Sequence, residues 1–404
     1  MNEQPEVLSE ILVPRGFRFA AAVAGIKKAG RLDVALADAP RGTTAAAVFT
    51  RNRVVAAPIV ADRIHLRKTR GHLRAVLVNA GNANCATGKD GFERCKETCY
   101  GLASHMHILP REVFPSSTGV IGVPLPAHKI LDVLPDLVAS LDSSPDALAQ
   151  FARAIMTTDT RAKIASARFR CGRATAHMVG VAKGAGMIHP DMATMLAYVF
   201  TDAALAPRDL QRALNAAVAG SFNCISVDGD TSTNDTVLVL ASGAAGPVKG
   251  AAGRRLFQKA LDAVCLSLAE QIVRDGEGVQ HLVRLHVEQA RSPREARHVA
   301  NTIATSALVK TAFAGADPNW GRILAAAGRA GIALDPARIG VRIGAQAVCR
   351  KGVAATFDEA AAHQAMSAAE YEVRVSLGRG RARATVLTCD LTDQYVHINA
   401  DYRS

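Results

Sequence analysis

The stretch that decides how this chain is read is Val181-AKGAGMIHPDMATMLAYVFTDA, residues 181–203. Glycines at 184 and 186 and a proline at 190 punctuate its first half as a loop, and Met195-LAYVF then begins an uninterrupted apolar run of strand length. Runs of the same kind recur at Arg74-AVLVNAG, Thr175-AHMVGVAKG, Thr236-VLVLASG and Val373-RVSLG. Helices lie between them. Ser144-Pro145 opens one carrying Leu148, Phe151 and Ile155, and Pro207 opens another with Leu210 and Leu214. Leu256, Ala260, Val264, Leu268 and Ile272 stripe a third that ends near Gly276. Ser292-Pro293 starts a fourth, whose stripe of Ala296, Val299, Ile303 and Ala307 runs towards Gly315. Strands and helices do not alternate with βαβ regularity, so the pattern predicts a layered α+β fold. The polar, Arg-rich Glu288-QARSPREAR predicts a junction between a catalytic region, 1–282, and a smaller α+β domain, 283–404.

Composition narrows the function. The 404 residues are 49% hydrophobic and 21% charged, as in a soluble globular protein, and only 4% aromatic, so aliphatic side chains must fill the core. The formal charge of +12 is dispersed, and five Tyr and one Trp supply few stacking platforms, which argues against nucleic acid as a partner. The acidic start, MNEQPEVLSEILVPRGF, lacks the basic end and apolar core of a signal peptide, and no stretch approaches a membrane span; a cytoplasmic protein is expected. Eight scattered cysteines read as reduced thiols, and no second pair joins Cys95 and Cys99 at zinc-site spacing.

Thr194 stands where the loop becomes strand. A threonine there is a favoured β-former, and nothing more is required to account for it. If the Ala193-Thr194 bond were cut, however, Thr194 would carry its own α-amine as an adjacent base, with an unperturbed pKa of roughly 7.7–8.0. Taken with its flanks, the segment closely resembles the signature of the ornithine acetyltransferase (glutamate N-acetyltransferase) family, in which an Ala-Thr bond within KG-GMI-P-MATML is cut autocatalytically. Gly16-FRFAAAVAGIK, Val48-FTRN, Val78-NAGNANCATG, Ser116-STGVIG, Met156-TTDT, Ser226-VDGDTSTNDT, Asp275-GEG, Lys310-TAFAGADPNWGRI and Tyr395-VHINADYRS follow in that family's order. The resemblance thus spans nearly the whole chain. Asp191 departs from it, since the family more often has Asn there.

The resemblance implies a layered α/β/β/α sandwich with a smaller C-terminal α+β domain. It implies an acetyltransferase of arginine biosynthesis that works by ping-pong chemistry. Thr194 takes acetyl from N2-acetyl-ornithine and passes it to glutamate, with Thr118 and Gly119 as the oxyanion donors. Thr157, Lys183, Glu277, Asn399 and Ser404 match the family's substrate-binding positions, with Lys183 expected on the substrate carboxylate and Glu277 on its ammonium. No metal or other cofactor is implied. The three acids of Asp228-GDTSTNDT, which could suggest a hard cation, are read as a hydrogen-bonded loop. The products 1–193 and 194–404 are expected to stay intertwined and to assemble as a heterotetramer of two alpha and two beta fragments. The resemblance leaves acetyl-CoA open as a second donor. An N-terminal-nucleophile aminopeptidase or amidase would share the Thr194 chemistry but give the acyl group to water, and an uncleaved amino-acid-binding module would need none of it. A denaturing gel of the purified protein is expected to show two bands, for residues 1–193 and 194–404, and Thr194→Ala a single full-length one. A full-length band from the unaltered sequence would remove self-processing.

Overall fold

The computed structural model describes residues 6–8, 10–27, 30–189 and 195–401. Four of the five runs read as strands lie in two stacked sheets, and the fifth, at Val373, lies in a third. The first has the order Glu6–Leu8, Lys163–Cys171, Ala174–Lys183, Leu196–Ala204, Thr236–Pro247, Thr44–Phe49. Its pairs are antiparallel except the fourth, between Leu196–Ala204 and Thr236–Pro247. The second sheet has the order Arg18–Ala22, Val34–Asp38, Ala75–Asn82, Val113–Val120, and its last pair is parallel.

The strand Leu196–Ala204 shows why these runs are apolar throughout. Side chains alternate across a strand, so a strand covered on one side only alternates in polarity, and one covered on both sides does not. Here Ala197, Val199 and Ala203 face the helices Pro207–Gly220 and Gly250–Arg274, while Leu196, Tyr198 and Phe200 enter the layer between the two sheets. The second sheet turns Val76 and Val78 into that same layer, and Leu77 and Val113 outward onto the helices Gly88–Met106 and Ala127–Ala139. The layers therefore run helix, sheet, sheet, helix, as the sequence implied. Although the chain is poor in aromatics, one cluster of them fills the layer between the sheets. Phe200 is fully buried there, with Phe17 and Phe19 edge-on at centroid distances of 5.2 and 4.9 Å and Phe151 at 6.2 Å.

A third sheet begins with Leu282–Ala290, flanked by Glu370–Ser376 and Ala382–Cys389, and helices from Pro293–Ala304 onward cover it. The Arg-rich stretch lies within this unit. It forms the end of the strand Leu282–Ala290 and the first turn of the helix Pro293–Ala304, and its charges pair locally, Glu288 with Arg374 at 2.8 Å and Glu295 with Arg379 at 2.9 Å. The single helix predicted from Ser292 towards Gly315 is two, Pro293–Ala304 and Ala307–Ala314. Thr305 and Ser306 break it: the Thr305 hydroxyl donates to the Asn301 carbonyl, and Ser306 adopts an extended ψ of 112°. Hydroxyl side chains compete in this way for backbone groups. The apolar stripe survives because Val309 and Phe313 of the second helix pack on the same core as Val299 and Ile303. Among the described residues no helix is long and apolar enough to cross a membrane.

Phe200→Ala should remove the aromatic hub between the sheets and destabilise the protein by about 3–5 kcal/mol. Urea unfolding of the Thr194→Ala chain carrying this second change, against Thr194→Ala alone, measures it.

Candidate functional site

Lys183 is the last residue of the strand Ala174–Lys183 and pairs with Leu196 across the antiparallel ladder. Residues 184–195 are therefore the connection between two central strands, and they leave the first sheet at one rim. A pocket at this rim is lined by Thr118, Gly119, Thr157, Lys183, Glu277 and Asn399, with Gly186, Met187 and Ser232 to Asn234 among its other walls. Six residues proposed from sequence thus meet in one place, although they come from segments as distant as 118 and 399. Ala193, Thr194 and Ser404, with Asp191, lie outside the described residues.

Each wall has a local cause. Thr118 and Gly119 end the strand Val113–Val120, where Gly119 lies beside Gly81 of the neighbouring parallel strand. Gly119 has φ +129°, and a Cβ there would stand 2.4 Å from the Gly81 carbonyl carbon, so no other residue fits. Buried amides hold this strand end. Ser117 donates to Asn79 Oδ1 at 2.6 Å, and Asn234 Nδ2 donates to the carbonyls of Ser117 and Ala83 at 2.8 and 2.7 Å.

Asn234 belongs to the acidic loop 228–235, which spends its carboxylates on backbone donors. Asp228 accepts from the N–H groups of Met187 and Ile188 at 2.5 and 2.9 Å, and Asp235 Oδ1 accepts from Met195 N–H at 3.0 Å. One loop therefore pins the chain on both sides of residues 190–194. Met187 takes φ +59°, a left-handed conformation uncommon for a side-chain-bearing residue. Burial pushes the Asp228 carboxyl up to about 6 despite those N–H donors, and it holds Asp235 well above the ordinary carboxylate range. Among the described residues no group of three His, Cys, Asp or Glu side chains stands close enough to hold a metal ion.

Glu277 sits in the turn after the long helix Gly250–Arg274, its N–H bonded to the Ala185 carbonyl at 3.0 Å. Gly186 makes room for it, because a Cβ at 186 would lie 2.3 Å from Glu277 Oε2. The same oxygen accepts from Asn399 Nδ2 at 2.8 Å. Among the described residues no cation is in ion-pair contact with Glu277, so this largely buried carboxylate has a neutral amide as its partner. The helix Asp393–Asp401 brings Asn399 there, held through Thr392 Oγ1 on the Gly278 carbonyl at 2.7 Å and Tyr395 on Asp228 at 3.3 Å.

Lys183 is 3% exposed, and burial lowers its pKa against the attraction of Asp159, whose Oδ2 is 4.0 Å away. Asp159 is also bound by the N–H groups of Gly184 at 2.6 Å and Thr157 at 3.0 Å, and by Lys163 Nζ at 2.6 Å. Burial pushes its carboxyl up, but Lys183, Lys163 and the Gly184 N–H outweigh that and hold it at about 2. Lys163 also meets Asp275 at 2.6 Å. Asp159, Lys163, Asp275 and Asn234 were not singled out from sequence, although three of the four lie within motifs quoted above, Met156-TTDT, Asp275-GEG and the acidic loop.

The chain has relatives among known proteins. The ArgJ family model aligns with residues 18–404. The chain belongs to the ArgJ family. A Bradyrhizobium diazoefficiens protein named arginine biosynthesis bifunctional protein ArgJ is 45% identical over 408 aligned positions, covering 99% of this chain and 98% of the relative. One of the same name from Methylococcus capsulatus is 48% identical over 394, covering 96% and 95%. A crystal structure of the Bacillus halodurans arginine biosynthesis bifunctional protein ArgJ is 42% identical with a TM-score of 0.50, and it covers 52% of this chain and all of its own. Membership makes the chain an acetyltransferase of arginine biosynthesis.

The depressed Asp159 carboxyl has a consequence in acid. Its folded-state pKa lies below the unfolded value of about 3.9, so its contribution is complete above that value and is lost as pH falls through the folded one. Asp159→Asn should lower the urea midpoint at neutral pH and flatten its decline between about pH 5 and pH 2, a span worth on the order of 2 kcal/mol in the parent. An equally steep decline in the variant would reassign the acid sensitivity.

Proposed function

We propose that this ArgJ-family chain cuts itself between Ala193 and Thr194 and then transfers acetyl from N2-acetyl-ornithine to glutamate through an acetyl-Thr194 intermediate. The observation that carries the reading is the rim pocket, where a buried cation, a buried anion with no cationic partner among the described residues and a strand end with a close-approach glycine meet beside Gly186 and Met187, on the connection to which Thr194 belongs. Lys183 pairs with the substrate carboxylate, and Glu277 takes the δ-ammonium that its amide partner leaves unneutralised. In the first half-reaction Thr194 Oγ attacks the acetyl carbonyl while the threonine's own amine takes the hydroxyl proton. The oxyanion forms against the Thr118 hydroxyl and the Gly119 N–H, and donors of this kind contribute about 3 kcal/mol each. The C–N bond then breaks, the proton goes to the departing α-amine, and ornithine leaves. Glutamate's amine attacks the ester in the second half and regenerates the threonine.

Self-cleavage uses the same oxyanion donors, Thr118 and Gly119, on the Ala193 carbonyl: Thr194 Oγ attacks its own preceding peptide in an N-to-O shift that frees the threonine amine, and water then hydrolyses the ester. The pinning of Met187, Ile188 and Met195 to one loop supports it by restricting the chain on either side of the bond. The length of the Bacillus halodurans chain supports it as well, since the 52% it covers is the share that residues 194–404 make up here. On this reading residues 1–282 are the catalytic region and 283–404 a domain whose tail completes the pocket. No cofactor takes part, the cut chains assemble as two alpha and two beta fragments, and the enzyme works in the cytoplasm. Relatives named bifunctional suggest that acetyl-CoA is a second donor.

Lys183→Ala should raise KM for N2-acetyl-ornithine at least tenfold while self-cleavage persists, and Gly186→Ala should do the same by displacing the Glu277 carboxylate. Unchanged KM values would take both residues out of the binding site. Glutamate acetylation measured with N2-acetyl-ornithine and with acetyl-CoA side by side settles the donor range, and activity retained by Thr194→Ala would remove the covalent mechanism.

A further inference from the structure

Thr157 and Lys183 approach the pocket from one side of the first sheet, and Glu277 approaches from a turn almost a hundred residues further along the chain. Their supports converge on one atom. Lys163 Nζ, on a side chain with no exposed surface, lies 2.6 Å from Asp159 Oδ1 and 2.6 Å from Asp275 Oδ2. Asp159 holds the N–H groups of Thr157 and Gly184, the second of which follows Lys183 directly. Asp275 accepts from the Thr160 N–H at 3.1 Å and from the Thr160 hydroxyl, and it stands two residues before Glu277.

We propose that Lys163 is a positioning residue for substrate binding: its buried ammonium ties Asp159 to Asp275 and so sets the distance between Lys183 and Glu277. The inference rests on the reading of Lys183 and Glu277 as the partners of the substrate carboxylate and ammonium. Lys163 does not line the pocket, and no step of acetyl transfer passes through it. Its role is geometric. A substrate bound at both ends by fixed opposite charges tolerates little error in their spacing, and small misplacements in such sites are costly. The network is also balanced in a way that suits this role. Asp159 and Asp275 face the buried Lys163 and Lys183, with the exposed Arg161 3.5 Å from Asp275 at the network's edge, and none of these cations is in ion-pair contact with Glu277, which leaves its charge for the ligand. A buried ion pair is uncertain as a source of stability, but its removal on one side alone leaves an uncompensated charge.

Lys163→Met by itself leaves the buried Asp275 with only the exposed Arg161 as a cation and is expected to reduce the yield of folded protein. Lys163→Met combined with Asp275→Asn removes the tie while keeping Asp159 and Lys183 paired, and it is the decisive variant. Its KM for N2-acetyl-ornithine should rise at least tenfold, with kcat reduced less than threefold and self-cleavage retained. Lys163→Arg, which keeps a cation between the two carboxylates, should stay within threefold of the parent KM. A double variant folded by circular dichroism but with KM within twofold of the parent would overturn the inference. Lys183→Ala assayed alongside separates the two possible failures. If it raises KM and the double variant does not, the positioning role falls alone; if neither changes KM, the substrate assignment falls and takes the positioning role with it.

Discussion

The register between two strands governs everything at the rim. Lys183 opposite Leu196 makes residues 184–195 a connection between neighbouring strands at the centre of a sheet covered on both faces. A slip of one residue would turn Tyr198 and Phe200 out of the layer between the sheets and Ala197 and Val199 into it. The aromatic packing around Phe200 therefore fixes where the strand begins, and with it where the chain that carries Thr194 must start. The acidic loop completes the constraint from outside, since Asp228 and Asp235 bind backbone N–H groups on both sides of residues 190–194.

Much of this was legible in the residues. Strands buried on both faces read as continuous apolar runs, and the runs beginning at 74, 175, 195 and 236 are strands of this kind, whereas the run at Val373 lies in a strand, Glu370–Ser376, that alternates between buried and more exposed residues. Prolines at 145, 207 and 293 begin helices because a proline at the first helical position sacrifices no hydrogen bond. The break at Thr305 was hidden because the apolar stripe continues across it onto the same core. The six described pocket residues came from a resemblance rather than from spacing. What the residues concealed was the support beneath them: Asp159 and Asp275 are 116 positions apart, and no local pattern announces that one lysine will join them.

The electrostatics of the rim follow from burial. Burial pushes Asp228 and Asp235 towards their neutral forms against the backbone N–H groups that donate to them, whereas Asp159 is held ionised by two ammonium groups. Environment thus divides chemically identical side chains between structural and electrostatic duties. Glu277 differs from both kinds, since among the described residues its carboxylate accepts from a neutral amide and meets no cation, and that amide arrives on the last helix described.

The order of strands in the first sheet has a consequence for a chain cut before Thr194. Ala174–Lys183 and Thr44–Phe49, from the first piece, flank Leu196–Ala204 and Thr236–Pro247, from the second. Neither piece can complete that sheet by itself. Unfolding of the cut protein is then a dissociation as well, so recovery of the native state becomes a second-order event whose yield depends on protein concentration, whereas the uncut chain carries both partners on one polymer. For a chain cut in this way folding has to precede scission, and the cut would make the order of the two hard to reverse.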